Sequence, residues 1–467
     1  MTYKELLASN ADFRRLWTGQ VVSEVGDWLN NIAVLALVIQ LAGAASVGRA
    51  VAVYAVARHL PLFLFGPFAG VVVDRVSRRR VMIAADIARA ALALGFLIAA
   101  RLSSLTLIYT VGAALFSVSA FFNAAKRASI PNLVGGTDEL LAANSLSAST
   151  TAATIAVGSA LGGAVATALG RDTVFVLNAL TFVASAEMIR RIRKAVGSKQ
   201  RAEESKRRAV SSEQKAAGVE LKAERRTYNE RSGLEVQTPE LTAYRSPLTA
   251  YFIDFREGLR YVGRDPLLSA VFVAAAGWGL GNGAARALYS IFGARLGEQA
   301  AAGWGAGLGV VAERPTDFGI SVLYVAMGVG GVLGAPLARR FNRGAGRGLG
   351  ARMGRSLTLD GAGLLLFSLT PNLFGAAAVL VAREVNFAIW WTAQQTLVMR
   401  RTDDRFAGRV FASFETLTTL MMVGSILVSG EVADRLGIRP VAAGGGAVVI
   451  LSGLLWFILR RREEKRR

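Results

Sequence analysis

The chain has 467 residues, 53% of them hydrophobic, with a mean hydropathy of +0.41 and a formal net charge of +21. One soluble core does not need that much apolar material, and the lack of cysteine excludes disulfides, thiolate metal sites and cysteine nucleophiles. A single histidine rules out a His-rich metal cluster, so neither a metal nor another cofactor is expected.

The start, Met1 to Asn10, is polar and does not read as a cleavable signal peptide. Apolar runs of about 20 residues, the length that crosses a hydrocarbon core of roughly 30 Å, then recur at 16–41, 47–73, 81–100, 104–126, 142–169 and 172–190. Residues 195–247 break the pattern with Lys, Arg, Glu, Ser and Gln and read as a charged cytoplasmic linker. From Asp254 to Pro266 the pattern predicts a short amphipathic helix, with Pro266 well placed to start the next span. Six more runs follow at 267–292, 318–338, 356–370, 373–398, 411–433 and 440–459, the ninth of the twelve being short and glycine-rich. In lipid each span must satisfy its own backbone N–H and C=O groups, so the spans are helices. The fold class is therefore an all-α polytopic membrane protein. Its domains are an N-terminal bundle (1–194), the linker (195–247) and a C-terminal bundle with its preceding amphipathic helix (248–467).

In a soluble protein this charge would suggest nucleic acid. Here its placement says otherwise. With the N-terminus inside, nineteen Lys and Arg fall in the short inner segments and seven in the outer ones. The positive-inside rule then puts both termini in the cytoplasm, at the plasma membrane. The basic tail Arg460–Arg467 agrees, stopping the last span at an anionic leaflet.

Between the second and third runs lies Gly70-Val-Val-Val-Asp74-Arg75-Val-Ser-Arg78-Arg79-Arg80. This loop resembles the G-x-x-x-D-R-x-x-R-R signature of the major facilitator superfamily. Further segments resemble the branch holding enterobactin exporters and macrolide-efflux proteins. These are Arg127-Ala-Ser-Ile-Pro131, Leu140-Leu-Ala-Ala-Asn144, Arg256-Glu-Gly-Leu-Arg-Tyr261 and Asp404-Arg405-Phe-Ala-Gly408-Arg409-Val-Phe411. The resemblance implies twelve transmembrane helices in two pseudo-symmetric six-helix bundles, and gating by Gly70, Asp74, Arg75, Arg78 and Arg79. Gly158-Ser159-Ala-Leu-Gly162-Gly163 resembles the antiporter motif G-P-x-x-G-G, which is associated with export, with Ser159 in place of the proline. Close helix packing through small residues is the other reading of Gly158, Gly162 and Gly163. Weak self-similarity sets Gly66 and Gly70 against Gly330 and Gly334 in the second half.

A charge inside a bilayer costs about 2.5–3.5 kcal/mol on insertion scales, so each one asks for a reason. Gln20, Glu24, Asp27 and Asn31 project from one helical face. Asp27 lies thirteen residues beyond Arg14, about 20 Å along the helix and near the bilayer midplane. Two roles fit it: a structural bond to a neighbouring helix, or a place in the central cavity in contact with substrate or proton. Arg58 is its expected ion-pair partner, and Glu24 the fallback proton carrier. His59 either relays a proton or packs. Asp86 and Arg89 are close enough to pair, and are assigned to the gate network around Asp74. In the second half Asn282 and Arg286 share a face with Trp278 and Tyr289, and Arg383, Trp390 and Gln394 share one with Phe387. Such faces suit a large amphiphilic ligand, or else packing and anchoring.

No Walker loop, nucleophile elbow or paired-histidine motif occurs, so the chain is not expected to be an enzyme or to use ATP. The expectation is a monomeric secondary exporter of a hydrophobic or amphiphilic small molecule of drug, macrolide or siderophore type. Its partners would be protons and membrane lipids, not nucleic acid. Metabolite uptake, lysolipid flipping and a transport-dead sensor or scaffold remain as alternatives at this stage.

Overall fold

The computed structural model describes residues 2–193, 247–304, 313–342 and 348–466. The linker predicted at 195–247 falls almost entirely outside them. A short α1 (Tyr3–Ser9) is held by a reciprocal capping box between Thr2 and Glu5. Six long helices follow: α2 (Ala11–Ala42), α3 (Val47–Arg75), α4 (Arg78–Arg101), α5 (Leu105–Leu133), α6 (Thr137–Leu169) and α7 (Arg171–Arg190). The amphipathic α8 (Pro247–Arg264) leads into α9 (Pro266–Trp304), α10 (Pro315–Asn342), α11 (Leu349–Leu369), α12 (Leu373–Arg401), α13 (Asp404–Leu436) and α14 (Ile438–Arg466).

Among the described residues eleven helices are long and apolar enough to cross a membrane. The twelfth, α11, spans 21 residues and carries Arg352, Arg355 and Asp360, which lower its hydropathy. Large apolar side chains such as Ile98, Leu180, Leu359 and Leu451 stand exposed on the flanks, as a hydrocarbon-facing surface requires.

The halves are built alike. In the first, α3 packs on α5, α4 on α5 and α7, and α2 on α6 and α7. In the second, α10 packs on α12, α11 on α12 and α14, and α9 on α13 and α14. These are the same pairings, shifted by six spans. The turns repeat as well: α6 and α13, each 33 residues, end at Gly170 (φ 89°) and Gly437 (φ 90°). That left-handed backbone favours glycine, which turns the chain sharply into the next helix. Two seams join the halves, α6 against α10 and α3 against α13.

The basic turn Asp74–Arg80 marks one face of the molecule, and the Gly170 and Gly437 turns mark the opposite face. Near the opposite face the apolar side chains of both halves form one continuous cluster, running from Leu29–Val38 of α2 to Phe292 of α9, Leu323 of α10 and Leu380 of α12. At the basic face there are two separate clusters. Phe13, Val73, Met82 and Phe122 belong to the first half, and Leu268, Met353, Phe414 and Trp456 to the second. One buried apolar cluster thus spans both halves at one end, whereas at the other each half keeps its own.

Candidate functional site

Where the joined cluster gives out, a cavity lies between the halves. It holds about 610 Å³ of empty space, its open part included. Trp28 and Asn31 of α2, Tyr54, Arg58 and His59 of α3, Arg286 and Tyr289 of α9, Tyr324 of α10 and Ile426 of α13 line it. Arg58 donates to the Asn31 side-chain oxygen and lies over the Trp28 and Phe116 rings, 4.8 and 5.1 Å from their centroids. Rings supply the cation with a partner that costs little hydration.

The expected Asp27–Arg58 ion pair is not what the fold makes. Asp27 instead faces Arg89 of α4, 3.8 Å away. Arg89 also donates to Asp86 and is sandwiched between the Phe122 and Phe182 rings. The gate network assigned to Asp86 and Arg89 is therefore relocated: they tie α4 to α2 rather than reach Asp74. Glu24 is engaged too, accepting from Gln20 (2.8 Å) and from Lys126 of α5 (3.2 Å), with Thr154 of α6 at 3.2 Å. The polar stripe of α2 is thus held from α4, α5 and α6.

In the second half Arg383 of α12 is buried and pairs with the fully buried Asp360 of α11 at 3.1 Å. Asn282 accepts from Arg383 at 2.5 Å, Tyr289 takes a third bond from it, and the Trp278 indole N–H donates to Asp360 at 3.2 Å. Sequence reasoning missed Asp360, although an acid inside the 356–370 run was a readable signal that Arg383 had a partner. Trp390 packs against Trp278 with tilted rings, their centroids 4.9 Å apart. Of the second-half candidates Arg286 lines the cavity, whereas Asn282, Arg383, Trp390 and Gln394 are buried inside the bundle. For Trp390 the reason is azimuth: it faces Trp278 of α9 rather than the other half.

Two latches cross the seams near the sealed face. Asp434 of α13 accepts from the backbone N–H groups of Gly48 (2.6 Å) and Arg49 (2.9 Å). It serves as the cap of α3, whose own Ser46 makes no side-chain cap bond. On the other seam Arg171 of α7 holds the buried Asp317 of α10 through two bonds of 3.0 and 2.9 Å and also reaches Gln40. Arg314 donates to the Ala166 carbonyl (2.8 Å), and Ser321 to the Ser159 carbonyl (2.7 Å).

The small residues of α6 sit in these contacts. A side chain at Gly158 or Gly162 would meet the Val25 or Leu29 carbonyl of α2 at 2.7 Å, and one at Gly163 would meet Ser321 of α10 at 2.2 Å. The gate loop is different. Asp74, Arg75 and Arg80 are exposed, and Asp74 has no hydrogen bond or ion pair among the described residues. Arg78 is buried and donates to the Ala128 carbonyl at 2.6 Å, and Arg79 reaches the Arg190 carbonyl. Two motif segments prove to be partners: Tyr261 of α8 stacks on Phe406 of α13, 4.7 Å between centroids, while Arg409 pairs with Asp254 (3.1 Å) and Glu257 (2.9 Å).

The Major Facilitator Superfamily sequence model matches residues 16–425. The chain is 27% identical over 186 residues to the uncharacterized MFS-type transporter YfiS of Bacillus subtilis (strain 168), a match spanning 40% of this chain and 43% of that protein. Its fold is similar to a bacterial homologue of the iron transporter ferroportin in an inward-facing state, with a TM-score of 0.63 at 14% identity over 96% of this chain and 98% of that one. It is also similar to the peptide transporter POT in complex with sulfate, with a TM-score of 0.61 at 12% identity over 99% and 98% of the two chains. A family match over most of the length, on a frame of two like-paired halves, shows that the chain belongs to the Major Facilitator Superfamily.

Proposed function

We propose that this secondary transporter is an exporter of a hydrophobic or amphiphilic organic compound, of the drug, macrolide or siderophore type that the enterobactin-exporter and macrolide-efflux branch handles. The proton gradient drives it, and the halves 1–194 and 248–467 rock about a midplane site, with 195–247 as tether. The basic face is cytoplasmic, so this conformation faces inward, with Asp74 released from its closing contacts. The observation that carries the reading is the charged stripe of α2. Glu24 and Asp27 are held by Lys126 and Arg89 beside a cavity sealed at one face only. A scaffold has little reason to keep such costly charges in a membrane, whereas a proton carrier needs a carboxylate whose cationic partner can leave it. Gly158 and Gly162 are the close packing of α6 on α2, and Gly163 that of α6 on α10 across the seam.

Efflux of fluorescent dyes and macrolides from expressing cells, with and without a protonophore, tests this. Accumulation that falls on expression and returns with protonophore supports the reading. Efflux that ignores the protonophore contradicts proton coupling, and expression without any change in accumulation contradicts export.

A further inference from the structure

The cavity is lined by two arginines that have no ion-pair partner among the described residues. Arg58 and Arg286 line it from opposite halves, and no Asp or Glu among the described residues lines it. Arg58 has a neutral partner, Asn31, besides aromatic rings. Arg286 has no hydrogen bond or ion pair among the described residues, and is only partly buried. The nearby carboxylates are committed elsewhere: Asp27 and Asp86 face Arg89, Glu24 faces Lys126, and Asp360 faces Arg383. Glu384 of α12 interacts with Arg286 through space, but makes no ion pair with it and does not line the cavity.

An arginine without an ion-pair partner in a membrane-spanning cavity invites an anion, and its planar fork matches a carboxylate, sulfonate or phosphate in two bonds at once. A further donor stands beside it. Tyr289, three residues from Arg286 on α9, accepts from Arg383 and so keeps its own hydroxyl proton to give. The Trp28 and Tyr324 rings, 6.0 Å apart and drawn from the two halves, offer flat apolar surface next to these donors.

We infer that the transported molecule is an organic anion. Its acidic group is held between Arg58 and Arg286, and its aromatic or otherwise apolar body lies against Trp28 and Tyr324. The inference rests on the transporter reading and narrows it, since cationic drugs are then poor ligands. An anion bridging two arginines from opposite halves also screens the repulsion that otherwise resists their approach, so binding favours closure of the open face.

The test is equilibrium binding to the purified full-length protein in phosphatidylcholine nanodiscs. The probes are 2-naphthylacetate, its methyl ester and 2-naphthylmethyl-trimethylammonium, one ring system with negative, neutral and positive charge, and tryptophan fluorescence is the readout. The acid should bind at least about tenfold tighter than the ester, the worth of one charge-assisted hydrogen bond. Arg286→Gln and Arg58→Gln should each remove most of that preference, while Arg286→Lys keeps part of it. Thermal melting of each variant reports its folding. Equal binding of acid and ester, preference for the cation, binding of no probe, or an unchanged preference in a folded Arg286→Gln protein overturns the inference. Repeating the titration with phosphatidylglycerol in the disc distinguishes the source of the anion. Competition by the lipid assigns the site to an anionic headgroup, and its absence assigns it to a soluble organic acid. No gradient is present, so a preference for the acid without energised efflux would fail the export reading alone. Efflux confined to neutral or cationic compounds would fail this inference alone.

Discussion

Asp360 and Asp27 are the same side chain in two different settings. Asp360 is fully buried against Arg383 and the Trp278 indole. Breaking such a pair by removing one partner costs about 3–5 kcal/mol, because the other charge is left without compensation. Asp360→Asn should therefore lower the unfolding midpoint in detergent sharply, and adding Arg383→Gln should recover part of the loss. A double variant as unstable as the two singles combined would show that they do not act as a pair. Asp27 keeps 26% of its side chain exposed at 3.8 Å from Arg89, whose closer partner is Asp86, so neutralising Asp27 leaves Arg89 paired. Asp27→Asn should thus melt almost like the parent yet lose protonophore-sensitive efflux. Concentrative efflux that survives would move the proton to Glu24. The depth of each charge could be read from its distance along an apolar run, since a bilayer makes charges conspicuous. Its partner could not. Asp27 and Arg58 lie at matching depth, but pairing depends on which way each helix is turned, and the fold turns Asp27 towards α4.

Gly66 and Gly70 of α3 raise a question about the element they sit in. Apart from the nearby backbone of α3 itself, no atom lies within 4 Å of where a side chain would begin at either position, although glycine inside a helix costs about 0.5–1 kcal/mol relative to alanine. Their counterparts Gly330 and Gly334 have an evident purpose: side chains there would meet the Val381 carbonyl at 2.6 Å and Ala388 at 2.8 Å on α12. An idle glycine in this conformation is explained if the end of α3 packs on the second half once the basic face closes. Gly70→Leu should then preserve folding and ligand binding while cutting transport by about tenfold, the effect of roughly 1.4 kcal/mol of clash confined to the closed state. Undiminished transport would mean that Gly70 stays uncovered throughout the cycle. At the other end of the same helix, Asp434→Ala removes a cap worth about 1 kcal/mol. It should raise thiol labelling of a cysteine placed in the cavity from the sealed side; unchanged labelling would mean that the cap does not hold that side shut. Helix ends were the least legible part of these elements. Hydropathy reports the lipid-facing stretch and stops at the first charge, whereas α5 continues past Lys126 to Leu133 because Lys126 turns inward to Glu24. In α11 the buried Asp360 and the two leading arginines shortened the apolar signal in the same way.

For the molecule as a whole, the all-helical multi-span fold and the two-fold repetition were legible in the apolar runs and the family motifs, although eleven rather than twelve helices among the described residues are apolar enough to span. The conformation was not, because nothing in a linear pattern records which end of the seam is shut. That follows from packing, with one apolar cluster across both halves at one end and two at the other. The central claim is that the halves rock as units, so that one end opens as the other closes. The chain contains no cysteine, so pairs of introduced thiols carry spin labels without background. Leu141→Cys with Met399→Cys reports across the basic face, and Leu169→Cys with Leu436→Cys across the opposite one; all four positions are more than 60% exposed. Electron–electron distances measured in nanodiscs, before and after acidification in the presence of ligand, test the claim most directly. The basic-face distance should shorten as the opposite-face distance lengthens, while a single unchanging distance at both faces, or movement in the same sense at both, would contradict it.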